Sequence, residues 1–358
     1  MSLKSMSANE VVARLDEFET IIDARSEDEY ALDRLPHALN WPTLNNAERI
    51  EVGTLYKHNA FEAKKLGAAL AARNISQHIQ QQVMDKPKSW QPLVYCWRGG
   101  KRSGSLALVL SEIGFKVTLI EGGYKAFRQA MVQDLLQKVQ HFSWHVVCGT
   151  TGSGKTRLLQ ALAQAGAQVL DLEALAHHRS SVLGALPGIA QPSQKQFDMR
   201  IWNALRSLDP TKPVFVESES KKVGNVAVPE ALILAMRRAP CLNLELPLEE
   251  RVGLLMEDYE HFVLNIDVFC NRLETLTPLR GKEVVQRWVQ QAQQGQLDTV
   301  VRELLISHYD PVYLQSMQRN FAQFDQAQVL TPQNRSQEAM AELAQRLTNQ
   351  KLISETPN

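Results

Sequence analysis

The sequence predicts an α/β protein: two parallel-sheet domains in tandem, the second carrying a helical C-terminal extension. Three observations predict it. Short apolar runs alternate with helix-period segments in two separate stretches, a glycine-bearing loop joins an apolar run to a helix in each stretch, and the pattern turns largely helical after Pro247. At 358 residues, with 44% hydrophobic and 22% charged residues, the chain has the size and composition of a two-domain globular protein. No apolar run reaches the roughly 18 residues of a membrane helix. The start, MSLKSMSANEVVARLDEF, lacks the apolar core of a signal peptide, so a cytoplasmic location without a membrane partner is the default expectation.

The elements follow in order. FETIIDAR (18–25) reads as a strand ending in Asp23 and Arg25, and the segment 51–75 contains a helix. QPLVYC (91–96) is a short apolar strand, SGSLALVLSEIG (103–114) a helix stopped by Gly114, and FKVTLIEGG (115–123) a strand stopped by glycines. A helix at 123–139 leads out of a first domain placed at 12–138. The second domain core, at 143–250, opens with SWHVVCG (143–149), continues with the helix Lys155–Gln164 and adds strands at 167–172, 213–218 and 240–247. Residues 251–358 form the extension; helical patterns cover 248–263 and 281–305, and a strand (327–332) and helix (336–347) complete the second domain.

The four cysteines, Cys96, Cys148, Cys241 and Cys270, show no CxxC or Cys/His pairing, which argues against a disulfide framework and a structural zinc site. Net charge is zero, but its distribution is uneven. Residues 1–90 carry 11 basic and 13 acidic groups (−2), residues 91–238 carry 18 and 10 (+8), and residues 239–358 carry 10 and 16 (−6). The basic stretch holds both glycine-bearing loops and is suited to attracting phosphates.

In the first loop, Cys96 ends a strand and CWRGGKRS leads into a helix. Gly99 and Gly100 let the loop curl so that successive N–H groups point inward beside the positive end of a helix dipole. With Trp97, Arg98, Lys101 and Arg102, they form an anion loop that favours the cysteine thiolate. The same donors suit phosphate, sulfate or selenophosphate. A nucleophile in such a cradle serves chalcogen transfer through a persulfide or perselenide, and serves a cysteine phosphatase equally.

At this point the sequence resembles the rhodanese superfamily. IIDARSEDEYALDRLPHALNWP (21–42) is similar to that family's early signature, with Asp23, Arg25, Glu29, Ala38, Asn40 and Pro42 carrying the match. One spacing departs from it. Typical sulfurtransferase loops place four residues between cysteine and arginine, whereas Trp97 to Lys101 make five here, the spacing of cysteine phosphatases and arsenate reductases. A wider ring suits a bulkier tetrahedral anion than thiosulfate sulfurtransfer requires.

The second loop, GTTGSGKT (149–156), matches G-x-x-x-x-G-K-[ST] in full and stands between a strand and a helix, as a P-loop must. Gly149, Gly152, Ser153 and Gly154 form the turn that wraps phosphates, Lys155 reaches the terminal ones, and Thr156 would hold Mg²⁺ if one is used. No other metal ligand is assigned. Asp171 and Glu173, and Glu217 and Glu219, follow two strands as accessory acids, with His177, His178 and Arg179 as further candidates beside the first pair.

The order of the two halves is the most specific feature. A rhodanese-like domain with YCWRGGKRS, followed by GTTGSGKT, DLEALAHHRSS and VESESKKVG, resembles the bacterial tRNA 2-selenouridine synthases from about residue 12 to at least 320. RGKEVVQRW (280–288) and HYDPVY (308–313) belong to the match. The resemblance implies a transferase that replaces the sulfur of 2-thiouridine, at the wobble position of the tRNA anticodon arm, with selenium from selenophosphate. It also implies an S-geranyl-2-thiouridine intermediate made from geranyl diphosphate. Cys96 corresponds to the cysteine that attacks selenophosphate, carries selenium as a perselenide and delivers it to C2 of the uridine. An enzyme that makes selenophosphate is the implied donor partner. The motif itself does not distinguish the diphosphate of geranyl diphosphate from a nucleotide. Trp97, Tyr124, Trp144 and Trp202 are candidates for stacking the extruded base. The patterns near 228–239 and 251–266 are candidates for a prenyl pocket. From the residues alone, a rhodanese-like cysteine phosphatase and a small-molecule P-loop kinase stay open as alternatives.

Overall fold

The computed structural model describes residues 3–179, 188–258 and 265–349. It divides into two compact units, one of Met1–Gln137 with Ser193–Arg206 and the other of Lys138–Pro192 with Ser207–Asn358.

The first unit is built on five strands: β1 (Leu3–Met6), β2 (Ile21–Asp23), β3 (Leu39–Asn40), β4 (Leu93–Tyr95) and β5 (Val117–Ile120). They lie in the order β1-β5-β4-β2-β3, all parallel. The central strands β2 and β4 are wholly buried, and so read as unbroken apolar runs. Ile22, Val94, Leu106, Leu110, Trp90 and Phe115 meet in the core beside them. The edge strand β1 buries only Met6, so LKSM carries no apolar signal. The helix expected within 51–75 is two helices, Asn46–His58 and Ala60–Gln82. Asn59 separates them and caps the second by accepting the Phe61 and Glu62 N–H groups. The helix Lys101–Ile113 ends on Gly114 at φ 114°. The unit's last helix, Gln194–Arg206, comes from far along the chain. Trp202 packs edge-on against Phe127 and donates to Asp134 at 2.7 Å, and Arg206 pairs with Asp16 at 2.5 Å.

The second unit contains β6 (Trp144–Cys148), β7 (Gln168–Leu170), β8 (Val214–Glu217), the small hairpin β9 (Lys222–Val223) and β10 (Val226–Ala227), β11 (Cys241–Leu244) and β12 (Gln328–Leu330). The main sheet runs β12-β11-β6-β8-β7, all parallel, with β6 at its centre. The helix Lys155–Gln164 buries Leu158, Leu159 and Leu162 against Met340, Leu343 and Leu347 of the helix Gln337–Asn349. The helical stretch 281–305 is broken into Lys282–Gln293 and Leu297–Leu304 by Gly295 at φ 80°. A π-helical turn, Leu305–Tyr309, then leads into the helix Asp310–Asn320. No helix among the described residues is long and apolar enough to cross a membrane.

Candidate functional site

Cys96 sits just beyond the C-terminal end of β4, where open parallel sheets place their ligands. The Gly100 N–H, at the start of the following helix, and the Ser103 hydroxyl donate to its sulfur at 3.3 and 3.0 Å. The loop is clamped from behind. The Cys96 and Trp97 carbonyls accept the Tyr124 and Lys125 N–H groups at 2.8 and 3.0 Å. Gly123, at φ 60°, makes that approach sterically feasible, because a Cβ there would stand 2.2 Å from the Cys96 carbonyl oxygen.

The loop cations take different roles. Arg102 donates to Glu29 at 2.5 Å, and Arg49 pairs with the same carboxylate at 3.1 Å. Burial pushes the Glu29 carboxyl up, but Arg102 and Arg49 outweigh it and hold the group below the ordinary carboxylate range. Arg98 and Lys101 are exposed and have no carboxylate partner among the described residues. Behind the loop lies a buried scaffold. Arg25 grips Asp23 through Nε at 2.9 Å and Nη2 at 2.6 Å, the Tyr95 hydroxyl donates to Asp23 at 2.7 Å, and the Asn40 amide donates to the Asp23 and Arg25 carbonyls at 3.1 and 2.9 Å. The early signature residues therefore fix the strand ends on which the cysteine loop stands.

Of the four aromatic candidates, three are core residues. Tyr124 is buried and donates to Asp33 at 2.5 Å, Trp144 is buried and donates to the Val139 carbonyl at 2.9 Å, and Trp202 is fully buried. None can receive an extruded base. Trp97 is half-buried, stacked on Tyr124 at 5.3 Å, with the Lys195 ammonium 5.8 Å from its ring centre.

In the second unit, Gly149, Gly152 and Gly154 take φ of 152°, 78° and 91°, conformations that let the loop wrap back over β6. Lys155 donates to the Gly149 carbonyl at 2.6 Å and lies 5.4 Å over the Tyr313 ring. Burial lowers its pKa, while Glu173 and Glu219 oppose the shift. The Thr156 hydroxyl donates to Glu173 at 3.2 Å, the Glu173 N–H donates to Glu217 at 2.8 Å, and Asp171 caps the helix Leu172–Ala176 by accepting the Ala174 N–H at 2.8 Å. The parallel register of β6 and β8 sets Glu217 opposite Val147, at the edge of the loop. Glu217 is only 2% exposed and its Oε2 has no hydrogen-bond partner among the described residues. Burial, reinforced by Asp171 and Glu219, pushes its carboxyl well above the ordinary range, and burial raises Asp171 too. The His177 ring faces the Ala190 carbonyl at 3.3 Å, burial lowers the His178 pKa, and Arg179 donates to the Asp258 carbonyl at 2.9 Å. Ser180 and Ser181, which close that motif, lie outside the described residues. No group of three or more His, Cys, Asp or Glu among the described residues is arranged to hold a metal ion.

A cavity of ≈ 550 Å³ opens over the P-loop. Thr151, Gly152, Gly154, Lys155 and Thr156 line one side, and Leu254, Leu255, Val312, Met317 and Phe321 supply apolar surface. Of the two stretches proposed for a prenyl pocket, 228–239 is mostly core: Val228, Leu232, Ile233 and Met236 are buried, and Arg237 alone lines the cavity. The stretch 251–266 contributes Leu254, Leu255 and Asp258, while its residues 259–264 lie outside the described set. Sequence reasoning missed the main wall, the helix Asp310–Asn320. Its signal was a four-residue repeat that continues from the preceding turn, Tyr309, Tyr313, Met317 and Phe321 beside Val312, Ser316 and Asn320.

That helix also reaches the P-loop directly. The Gly149 N–H donates to the Tyr313 hydroxyl at 2.7 Å. Arg251 donates to Asp310 at 2.9 and 2.6 Å and to the Thr151 carbonyl at 2.9 and 2.7 Å. Arg280 donates through Nε to His308 Nδ1 at 2.9 Å, so RGKEVVQRW and HYDPVY meet in space.

Residues 142–273 match the model of the tRNA 2-selenouridine synthase AAA domain, and residues 7–130 match that of the rhodanese-like domain. A tRNA 2-selenouridine synthase of Nitrosomonas eutropha is 30% identical over 365 residues, spanning 89% of this chain and 94% of that protein. The chain belongs to the tRNA 2-selenouridine synthase family. The family's protein from Shewanella pealeana is 32% identical, covering 87% of this chain and 93% of its own. With the Nitrosomonas europaea synthase identity rises to 37%, over 67% of this chain and 63% of that protein. Among solved structures, a rhodanese-like domain protein of Staphylococcus aureus is 21% identical over 35% of this chain and 90% of its own, with a TM-score of 0.23.

Proposed function

We propose that this chain converts wobble 2-thiouridine of tRNA to 2-selenouridine, with selenophosphate and geranyl diphosphate as co-substrates. The observation that carries this reading is the cavity over the P-loop. It joins a phosphate cradle to an apolar wall, the two halves of a prenyl diphosphate, and its volume falls within the ~300–1,000 Å³ usual for small-molecule sites.

In this mechanism Lys155 and the loop N–H groups hold the diphosphate. The thiouridine sulfur attacks C1 of the geranyl group, diphosphate departs with the bonding electrons, and the uridine loses its N3 proton. The terminal selenium of the Cys96 perselenide then attacks C2, the thioether sulfur leaves as geranylthiol with a proton, and a thiol reductant cleaves the remaining Se–S bond to free 2-selenouridine and the Cys96 thiol. The donors on the Cys96 sulfur, with Arg98 and Lys101 exposed at the loop, suit selenophosphate and its perselenide product. The hydroxyl of Thr156 and the Oε2 of Glu217, which has no hydrogen-bond partner among the described residues, fit Mg²⁺, a hard cation commonly held by one or two carboxylates plus substrate phosphates. When bound, it would neutralise charge on the departing diphosphate. The net +8 of residues 91–238 suits a tRNA partner held through its phosphates, and an enzyme that makes selenophosphate must supply the donor.

Nucleoside mass spectrometry on thiolated tRNA, incubated with both co-substrates, tests the scheme. Wild type should yield 2-selenouridine, Cys96→Ala should accumulate the S-geranyl nucleoside, and Lys155→Ala should lose geranyl transfer while Cys96 still loads selenium. Met317→Gln should weaken geranyl diphosphate but not inorganic diphosphate. An unchanged nucleoside pool with wild type removes the tRNA reading.

A further inference from the structure

Several charged groups line the cavity without a part in this chemistry, Glu219, Asp258 and three arginines among them. Four cations line it: Lys155, Arg157, Arg179 and Arg237. Lys155 belongs to the phosphate cradle. Arg157 is engaged by Glu257 and Asp258, each at 2.9 Å, and Arg179 by the Asp258 carbonyl. Arg237, half-buried near the end of the helix Glu230–Arg238, has no carboxylate partner among the described residues. A guanidinium kept partly out of water without a counterion is a standing donor site for an oxyanion.

Its position separates it from the P-loop. Tyr313 touches Gly149, and Asn320 lies seven residues further along the same helix, about 10 Å away at 1.5 Å per residue. The chain beyond Asn320 is pinned to the Arg237 segment. The Ala322 N–H donates to the Arg237 carbonyl at 2.9 Å, and the Gln323 amide to the Arg238 carbonyl at 2.6 Å. The Arg237 backbone and Asn320 therefore lie at one end of the cavity, at the other end of this helix from the Tyr313–Gly149 contact. Ser316 and Asn320 bring polar groups to that end beside the apolar Met317 and Phe321.

We propose that Arg237 binds a backbone phosphodiester of the RNA strand carrying the target uridine, at the end of the cavity remote from the diphosphate cradle. The inference rests on reading this cavity as the site of alkyl transfer. Displacement at C1 requires the sulfur to enter opposite the departing diphosphate, so the RNA strand and the diphosphate need separate cationic anchors on either side of that carbon.

The test compares wild type with Arg237→Gln and Arg237→Lys in the full-length protein. A fluorescein-labelled anticodon stem-loop bearing 2-thiouridine is titrated at several salt concentrations, and geranyl diphosphate is titrated by calorimetry. Arg237→Gln should weaken the stem-loop about tenfold and make the log–log salt slope shallower by about 1. Arg237→Lys should keep the wild-type slope, and neither should move geranyl diphosphate affinity by more than about twofold. Unchanged RNA affinity and slope in Arg237→Gln would overturn the proposal. So would a larger loss of geranyl diphosphate affinity, because it would assign Arg237 to the diphosphate. If wild type fails to bind geranyl diphosphate, the alkyl-transfer reading falls by itself, and the salt slope still reports on Arg237.

Discussion

Replacing Asp310 with asparagine should unsettle the second unit and its P-loop together. Arg251 is buried, and its fork divides four hydrogen bonds between the Asp310 carboxylate and the Thr151 carbonyl. Asparagine has the same size but only one acceptor oxygen, and it leaves the guanidinium charge uncompensated. Breaking a buried pair costs about 3–5 kcal/mol. The Asp310 side chain is 23% exposed, so water recovers part of this and about 2–3 kcal/mol is the better estimate. For a unit of this size each kcal/mol corresponds to ~2–4 °C, which predicts a melting transition lower by about 5–10 °C. Differential scanning calorimetry should place the fall in one of two transitions, since the chain has two compact units. Calorimetric titration should also show weaker geranyl diphosphate binding, because Thr151 lies within the loop. A double variant, Arg251→Met with Asp310→Leu, should recover stability but not ligand affinity: an apolar pair can replace a buried ion pair, but not its grip on the Thr151 carbonyl. A melting transition for Asp310→Asn within about 1 °C of wild type would refute the reasoning.

Two further expectations concern the loops. Gly123→Ala adds a methyl group where 2.2 Å separates it from the Cys96 carbonyl, on a backbone with φ 60°. It should lower the stability of the first unit by about 2 kcal/mol and abolish selenium loading of Cys96, so loading at the wild-type rate would contradict the clamp described for this loop. Glu217 has a raised pKa in the folded state, caused first by burial and then by Asp171 and Glu219. The folded protein thus holds this proton more tightly than the unfolded chain, and the associated stability is complete below the unfolded value and lost as pH rises through the folded one. Glu217→Gln should therefore raise the melting temperature more at about pH 8 than at about pH 5, and an equal effect at both would deny that the carboxyl is raised.

Much of the fold was legible because its signals are local. Buried parallel strands leave unbroken apolar runs such as LVY, and the helices after both loops begin where glycine ends. What escaped was decided by distant parts of the chain. LKSM becomes an edge strand only because β5 offers it backbone partners, and its side chains carry no trace of this. Trp144 and Trp202 were ambiguous for a related reason: an indole suits a core and a base-stacking platform equally until its neighbours are known. The cavity wall was hidden in a segment whose apolar and polar residues share one face, so its amphipathic pattern gave no clear inward side. The cysteine and P-loop positions could be named from sequence, whereas the engagement of Arg102 by Glu29 and the reach of Tyr313 to Gly149 join residues 73 and 164 positions apart.

The helix Gln194–Arg206 carries a consequence for biosynthesis. The chain leaves the first unit after Gln137, returns at Ser193 and departs again after Arg206. A ribosome that has released only the first 137 residues has not yet made the indole that covers Phe127 or the arginine that pairs with Asp16. The nascent first unit must wait, with an apolar face open, while some seventy further residues emerge. The first unit therefore cannot complete its set of contacts until Arg206 has emerged. A fragment cut near residue 138 should be prone to aggregate, and one extended through Arg206 would carry part of the second unit's sequence with it.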